Sequence, residues 1–284
     1  MGYLVISVGL NSLWATFLKI NFLWGILAAI CNLTFFVLGA FNIWLLLRVM
    51  QPIPFTEYAR SYIYALSINL FAPGQLGDAS IALFLKKQGI PLRRSGLAYL
   101  IDKIVTVFVL FCIAWYGAHI FLPEINPVWF IVMPFAGLSA IVFAIVIIQK
   151  VPSDFKYVLK AKQWTISTLD ELKSVRDKWH ILILNTFLTI VKWLVMCLSY
   201  YCAFRSFGQF IPWPEIGIIP VLSTLVGYIP VSVGGIGTVE YSAVSLFSIM
   251  GVAETIVLST YLFLRSLQYM QTGVMMIFTH RNKN

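Results

Sequence analysis

Two short stretches hold most of the residues in this 284-residue chain whose types and spacing suit chemistry. Residues 226–240 read V-G-Y-I-P-V-S-V-G-G-I-G-T-V-E, in which Pro230 and the glycines Gly234, Gly235 and Gly237 lead to the carboxylate of Glu240. Residues 69–78 read N-L-F-A-P-G-Q-L-G-D, with Asn69, Pro73, Gly74 and Gly77 leading to Asp78. Apolar sequence flanks both, and a cation follows each in the next long apolar segment: Lys103 after the first, Arg265 after the second. A third cation, Lys192, stands alone inside the apolar run 180–205.

The pattern suits recognition of a phosphate. A helix starting just after either glycine-rich break presents unpaired N–H groups and the positive end of its dipole. Glycines let an anion come close to the backbone. Arg265 matches a phosphate through two parallel bonds, whereas Lys103 and Lys192 act as point charges. Asp78 and Glu240 then hold a cationic group on the same ligand, or take up a proton. A plainer reading stands beside this one, in which an acid pairs with Arg265 or Lys103 only to neutralise buried charge.

The elements that must position these residues lie in a membrane. With 60% hydrophobic and only 11% charged residues, the chain is not an ordinary soluble domain. Residues 22–50, 97–121, 128–149, 180–205 and 253–279 read as spans, and three of them (97–121, 128–149 and 253–279) as apolar all round. Each reaches the roughly 20 residues that a bilayer crossing needs. The fold class expected is all-α, a polytopic integral membrane helical bundle. The formal charge of +9 does not point to nucleic acid, because the cations sit in loops beside apolar segments. Sixteen of the twenty lysines and arginines fit one side, which sets loops 86–96 and 150–179 and the C-terminus on the cytoplasmic face of a cell membrane. Cys31, Cys112, Cys197 and Cys202 fall inside apolar helices, and His119, His180 and His280 lack ligand spacing, so no metal and no cofactor is implied. The chain has no Walker loop, nucleophile elbow or His-Glu-x-x-His.

The charge distribution works only if 58–88 and 214–250 each begin and end on one side. Both are then re-entrant helical hairpins, the first entering from the cytoplasm and the second from outside. The chain becomes an inverted repeat: a first half of about 1–149, an amphipathic cytoplasmic segment at 150–179, and a second half at 180–284. Interrupted short segments in corresponding positions mark substrate sites near the midplane of secondary transporters. The alternative is that all four short pieces are full, strongly tilted spans.

At these two motifs the chain resembles the membrane region of the lysylphosphatidylglycerol synthase family, which includes the multiple peptide resistance factors and flippase-like membrane proteins. Asn69…Pro73-Gly74-x-x-Gly77-Asp78 is similar to the family's first motif. Pro230-x-x-x-Gly234-Gly235-x-Gly237-x-x-Glu240, followed by Gly251-Val252 and Arg265, is similar to its second, and the resemblance runs from about residue 11 to 280. The chain departs at Gln75 and Ile81, where the family has basic residues, at Asp78, where it has Glu, and at Asp102-Lys103, where it has Glu-Arg. The sequence contains no soluble aminoacyl-transfer domain, so the resemblance implies a lipid-handling membrane region rather than synthase activity. It implies a flippase-like translocator for the headgroup of a phospholipid or polyprenyl-phosphate lipid, with a membrane enzyme or accessory subunit of lipid-linked sugar transfer as the alternative. The expected partner is that membrane lipid and no nucleic acid; a homo-oligomer and a separate lipid-modifying enzyme stay open.

Overall fold

A computed structural model of the chain describes residues 8–72, 80–121, 178–228 and 232–281, together with Gly77, Asn126, Val128 and Val132. Among the described residues the regular structure is helical: α1 (Leu10–Phe17), α2 (Phe22–Met50), α3 (Phe55–Asn69), α4 (Ile81–Lys87), α5 (Leu92–Phe121), α6 (Trp179–Ser206), α7 (Trp213–Gly227), α8 (Thr238–Ser248) and α9 (Glu254–Arg281). The expected span at 128–149 and the amphipathic segment at 150–179 lie almost wholly outside the described residues.

Among the described residues three helices are long and apolar enough to cross a bilayer: Phe22–Met50, Leu92–Gly117 and Trp179–Ser206. Their outward faces are apolar. Phe22, Ile26, Ile30, Leu33 and Val37 on α2 and Ile183, Phe187, Ile190 and Leu194 on α6 are exposed at three- and four-residue spacing. Continuous apolar faces of that extent suit lipid rather than water. The last helix departs from the sequence reading. At 28 residues α9 is long enough, yet it is not among the three helices apolar enough to cross. Met270, Val274, Ile277 and Phe278 face out, while Thr272 is buried and Arg265 and Gln268 line the interior. Residues 253–279 are therefore not apolar all round: polar side chains such as Ser259, Thr260 and Thr272 lie among the apolar ones that α9 buries.

The two halves repeat each other. The first runs through helices of 29, 15, 7 and 30 residues (α2 to α5), the second through 28, 15, 11 and 28 (α6 to α9). Their packing repeats as well. The pairs α2–α3, α2–α5, α3–α4, α4–α5, α5–α6 and α5–α7 have as counterparts α6–α7, α6–α9, α7–α8, α8–α9, α9–α2 and α9–α3. The most extensive packing, α2 against α6, joins the two equivalent long helices to each other. Those two run antiparallel. The Asn21 N–H donates to Ser206 O, Trp24 packs on Tyr201, Ser199 Oγ donates to Ala28 O, Phe35 packs on Trp193, and Asn42 Nδ2 donates to Thr189 Oγ1. Equivalent helices that run in opposite directions are related by turning one half upside down, so the repeat is inverted.

Each half also has its own apolar core. One gathers the C-terminal part of α2 with α3, α4 and the start of α5 around Leu46, Tyr58, Ile81 and Ala98. The other gathers the C-terminal part of α6 with α7, α8 and the start of α9 around Phe204, Ile216, Phe247 and Leu258. The short helices fold back on one another. Gln88 Nε2 donates to Ser61 Oγ at 3.0 Å, and the rings of Tyr64 and Phe84 lie 5.5 Å apart, which makes α3 and α4 an antiparallel pair. In the second half Gly227 at the end of α7 sits against Val239 at the start of α8, with no space for a Cβ between them. At about 1.5 Å per residue, a helix of 15 residues covers about 22 Å, short of the roughly 30 Å hydrocarbon layer.

Candidate functional site

The broken connections of the two helix pairs touch. The Gly234 N–H, in the second connection, donates to Ala72 O of the first at 2.9 Å. A Cβ at Gly234 would come within 2.9 Å of Leu70 O, and the residue's φ of +57° also favours glycine, so this contact needs that residue type. On the first side Gly77 lies directly against the Asn69 backbone and leaves no space for a side chain.

Behind the contact a cavity of about 220 Å³ opens between the two apolar cores. Lys103 reaches it from α5, Lys192 from α6 and Arg265 from α9, with Asn69 and Gly234 from the two connections. Three helices separated by most of the chain thus direct cations into one space. Lys103 and Arg265 hold the same place in the repeat, each being the twelfth residue of its helix, counted from Leu92 and from Glu254. At about 1.5 Å per residue that is about 17 Å along, toward the middle of helices of 30 and 28 residues. This corrects the sequence reading, which began the span at 97. The helix begins at Leu92, because Pro91 precedes it and supplies backbone carbonyl O to the N–H groups of Arg94 and Ser95.

The three cations are held differently. Arg265 Nε and Nη2 each lie 2.6 Å from Glu240 Oε1, and Arg265 Nη1 donates to Gly234 O at 3.0 Å. Glu240, 1% exposed, turns its other oxygen back to accept from the Gly237 N–H at 2.7 Å, which caps α8 at its start. Gly237 permits that turn with φ +89°. Arg265 keeps 18% of its side-chain surface exposed, and that part faces the cavity. Lys103 Nζ lies 5.4 Å from the Tyr99 ring and 5.3 Å from the Tyr228 ring, the second of these at the end of α7. Lys192 Nζ lies 6.0 Å from the Phe35 ring on the antiparallel α2. Cation–π contacts of this kind are favourable for an ammonium in an apolar interior.

Of the residues singled out in the sequence, Asn69, Lys103, Lys192, Gly234 and Arg265 line the cavity together. Glu240 faces Arg265 instead, and Gly77, Gly235 and Gly237 shape the backbone around the contact. Pro73, Gly74, Asp78 and Pro230 lie outside the described residues. The sequence reading missed the polar lining contributed by Asn32, Tyr62, Thr106 and Gln268. A signal for one of them was present: Thr106 follows Asp102 by four residues, which puts both on one helix face. Among the described residues no three His, Cys, Asp or Glu side chains gather into a metal site.

Fold and site together define a polytopic helical membrane protein with an inverted repeat and a cationic cavity at the repeat interface. The family model described as "Lysylphosphatidylglycerol synthase TM region" matches residues 1–274, and the chain belongs to that family. It is also similar to a UPF0104 membrane protein of Methanothermobacter thermautotrophicus, 37% identical over 65 residues. That match takes in 23% of this chain and 20% of the relative.

Proposed function

We propose that the protein is a lipid translocator of the flippase-like kind, which carries the phosphate-bearing headgroup of a phospholipid or polyprenyl-phosphate lipid between leaflets of the cell membrane. The observation that carries this reading is the convergence of Lys103, Lys192 and Arg265 on one cavity where the two broken helix pairs touch. An anionic headgroup entering there meets three cations and several neutral donors, while its acyl or prenyl chains stay against the apolar outer faces. In this reading α3–α4 and α7–α8 are re-entrant hairpins that dip into the membrane from opposite sides. Loops 86–96 and 150–179 and the C-terminus lie on the cytoplasmic side, as the cation distribution suggests. Asn69, Pro73, Gly74, Gly77 and Asp78 of the first motif and Pro230, Gly234, Gly235 and Gly237 of the second shape the headgroup path, with Glu240 setting the position of Arg265. A role in lipid-linked sugar transfer would need a carboxylate free to act as acid or ligand. Glu240 has both oxygens engaged, by Arg265 and by the Gly237 N–H, which speaks against that role for this carboxylate.

The test is purified protein in liposomes carrying a fluorescent phospholipid or polyprenyl phosphate, read with a leaflet-selective quencher. Exchange above that of protein-free vesicles, without added divalent metal, supports the carrier. Formation of a sugar-modified lipid in place of exchange would replace it with the transferase.

A further inference from the structure

A buried carboxylate near the cavity has no part in the anion site just described. Asp102 on α5 is 4% exposed and contributes to the cavity wall. Its Oδ1 accepts from Asn42 Nδ2 of α2 at 2.8 Å and from Asn185 Nδ2 of α6 at 3.2 Å. Asn42 Nδ2 also donates to Thr189 Oγ1 at 2.8 Å. The hydrogen bonds that reach Asp102 Oδ1 among the described residues come from two neutral amides. An ionisable group at that depth is costly and marks an ion pathway by default.

The surrounding oxygens supply a second, independent observation. Asn42 Oδ1, Asn185 Oδ1 and Thr106 Oγ1 are all buried without a hydrogen-bond partner, in side chains 0%, 0% and 3% exposed. Such groups are rare in native interiors, and each calls for a physical reason. Here the three belong to side chains beside one carboxylate: Thr106 follows Asp102 by one helical turn, and the two asparagines bond to Asp102 through their Nδ2 groups.

We propose that Asp102, Asn42, Asn185, Thr106 and Thr189 form a binding site for a monovalent alkali cation. The donor set is all oxygen, which suits a hard cation and does not suit zinc or copper. Turning either amide about its terminal bond puts an amide oxygen where a nitrogen now lies, 2.8 or 3.2 Å from Asp102 Oδ1. Oxygens at that separation are bridged by one ion at the roughly 2.3–2.6 Å usual for hard cations of this size. One carboxylate balances a single positive charge, whereas a divalent ion would leave net charge in a low-dielectric interior. The cations facing the cavity have contacts of their own. Lys103 of α5 lies near the Tyr99 and Tyr228 rings, Lys192 of α6 near the Phe35 ring, and Arg265 of α9 holds Glu240. The binding claim stands apart from the carrier reading, and only a use of the ion to drive headgroup movement rests on that reading.

The experiment is thermal unfolding of the purified full chain in detergent, titrated with sodium, potassium or choline chloride at constant ionic strength and at two pH values. Sodium or potassium is expected to raise Tm saturably over choline by a few degrees, as an ion bound only by the folded state must. Asp102→Asn is expected to melt cooperatively with no such rise. Should that variant fail to fold, Thr106→Val and Asn185→Ala carry the test, each shifting the half-saturating concentration up by about tenfold, or about 1.4 kcal/mol. A Tm identical in all three salts, a rise that survives in Asp102→Asn, or a Tm that moves with pH alone would overturn the site.

Discussion

Lys103 and Arg265 occupy the same position in the two halves, yet their surroundings differ in a way that assigns them different work. In the second half the acid and the cation come from different helices and bind each other: Glu240 at the start of α8 takes Arg265 from the middle of α9. In the first half the acid and the cation are neighbours on one helix, Asp102 and Lys103, and turn to different partners. Adjacent residues on a helix point about 100° apart and cannot face each other. The second half is therefore tied, its hairpin connection strapped to α9 through Gly234 O and Glu240. The first half keeps its acid and its cation separately directed toward the interior.

Breaking the tied half should have the largest effect. Arg265→Met strands the buried Glu240 carboxylate and is expected to cost about 3–5 kcal/mol, read as a fall in Tm in detergent. Adding Glu240→Gln to it should recover most of that loss. A single variant that melts like the unsubstituted protein would show that the strap contributes nothing. Next comes the contact between the halves. Gly234→Val sets a branched side chain against Leu70 O at a φ of +57°, at a cost of about 1–3 kcal/mol, with lipid exchange lost in the fraction that still folds. The first half should behave in the opposite sense to the second. Lys103→Met is expected to lower Tm less than Arg265→Met does and to slow exchange by about tenfold, about 1.4 kcal/mol of barrier. If it unfolds the protein and leaves exchange intact, the two halves are alike after all. Smallest is Ser199→Ala at the α2–α6 crossing, which removes one bond to Ala28 O; polar contacts between membrane helices are worth about 0.6 kcal/mol on average.

Much of this was legible in the residues. The Gly234-Gly235-x-Gly237 run ahead of Glu240 announced a helix start with a carboxylate three residues in, and α8 begins there with Glu240 folded back onto the Gly237 N–H. The pairing of broken segments announced a repeat, since interruptions at 69–78 and 226–240 fall at matching places in two apolar halves. Two other features escaped. The polar side chains that α9 buries were hidden because isolated polar residues among many apolar ones barely alter an average taken along the chain. The Asp102 cluster was hidden because its members, Asn42, Asp102, Thr106, Asn185 and Thr189, come from three helices up to 147 positions apart.

What the sequence determined by itself was local and one-dimensional: apolar runs long enough to cross at 22–50, 97–121 and 180–205, and a glycine-rich break ahead of the helix that begins at Thr238. Those follow from hydrophobic length and backbone sterics, which each segment expresses without reference to any other. Which charge meets which was decided only when α2 and α6 crossed antiparallel and inverted one half upon the other. Side-chain pairing in an interior depends on distances between segments remote in the chain, and folding alone sets those distances.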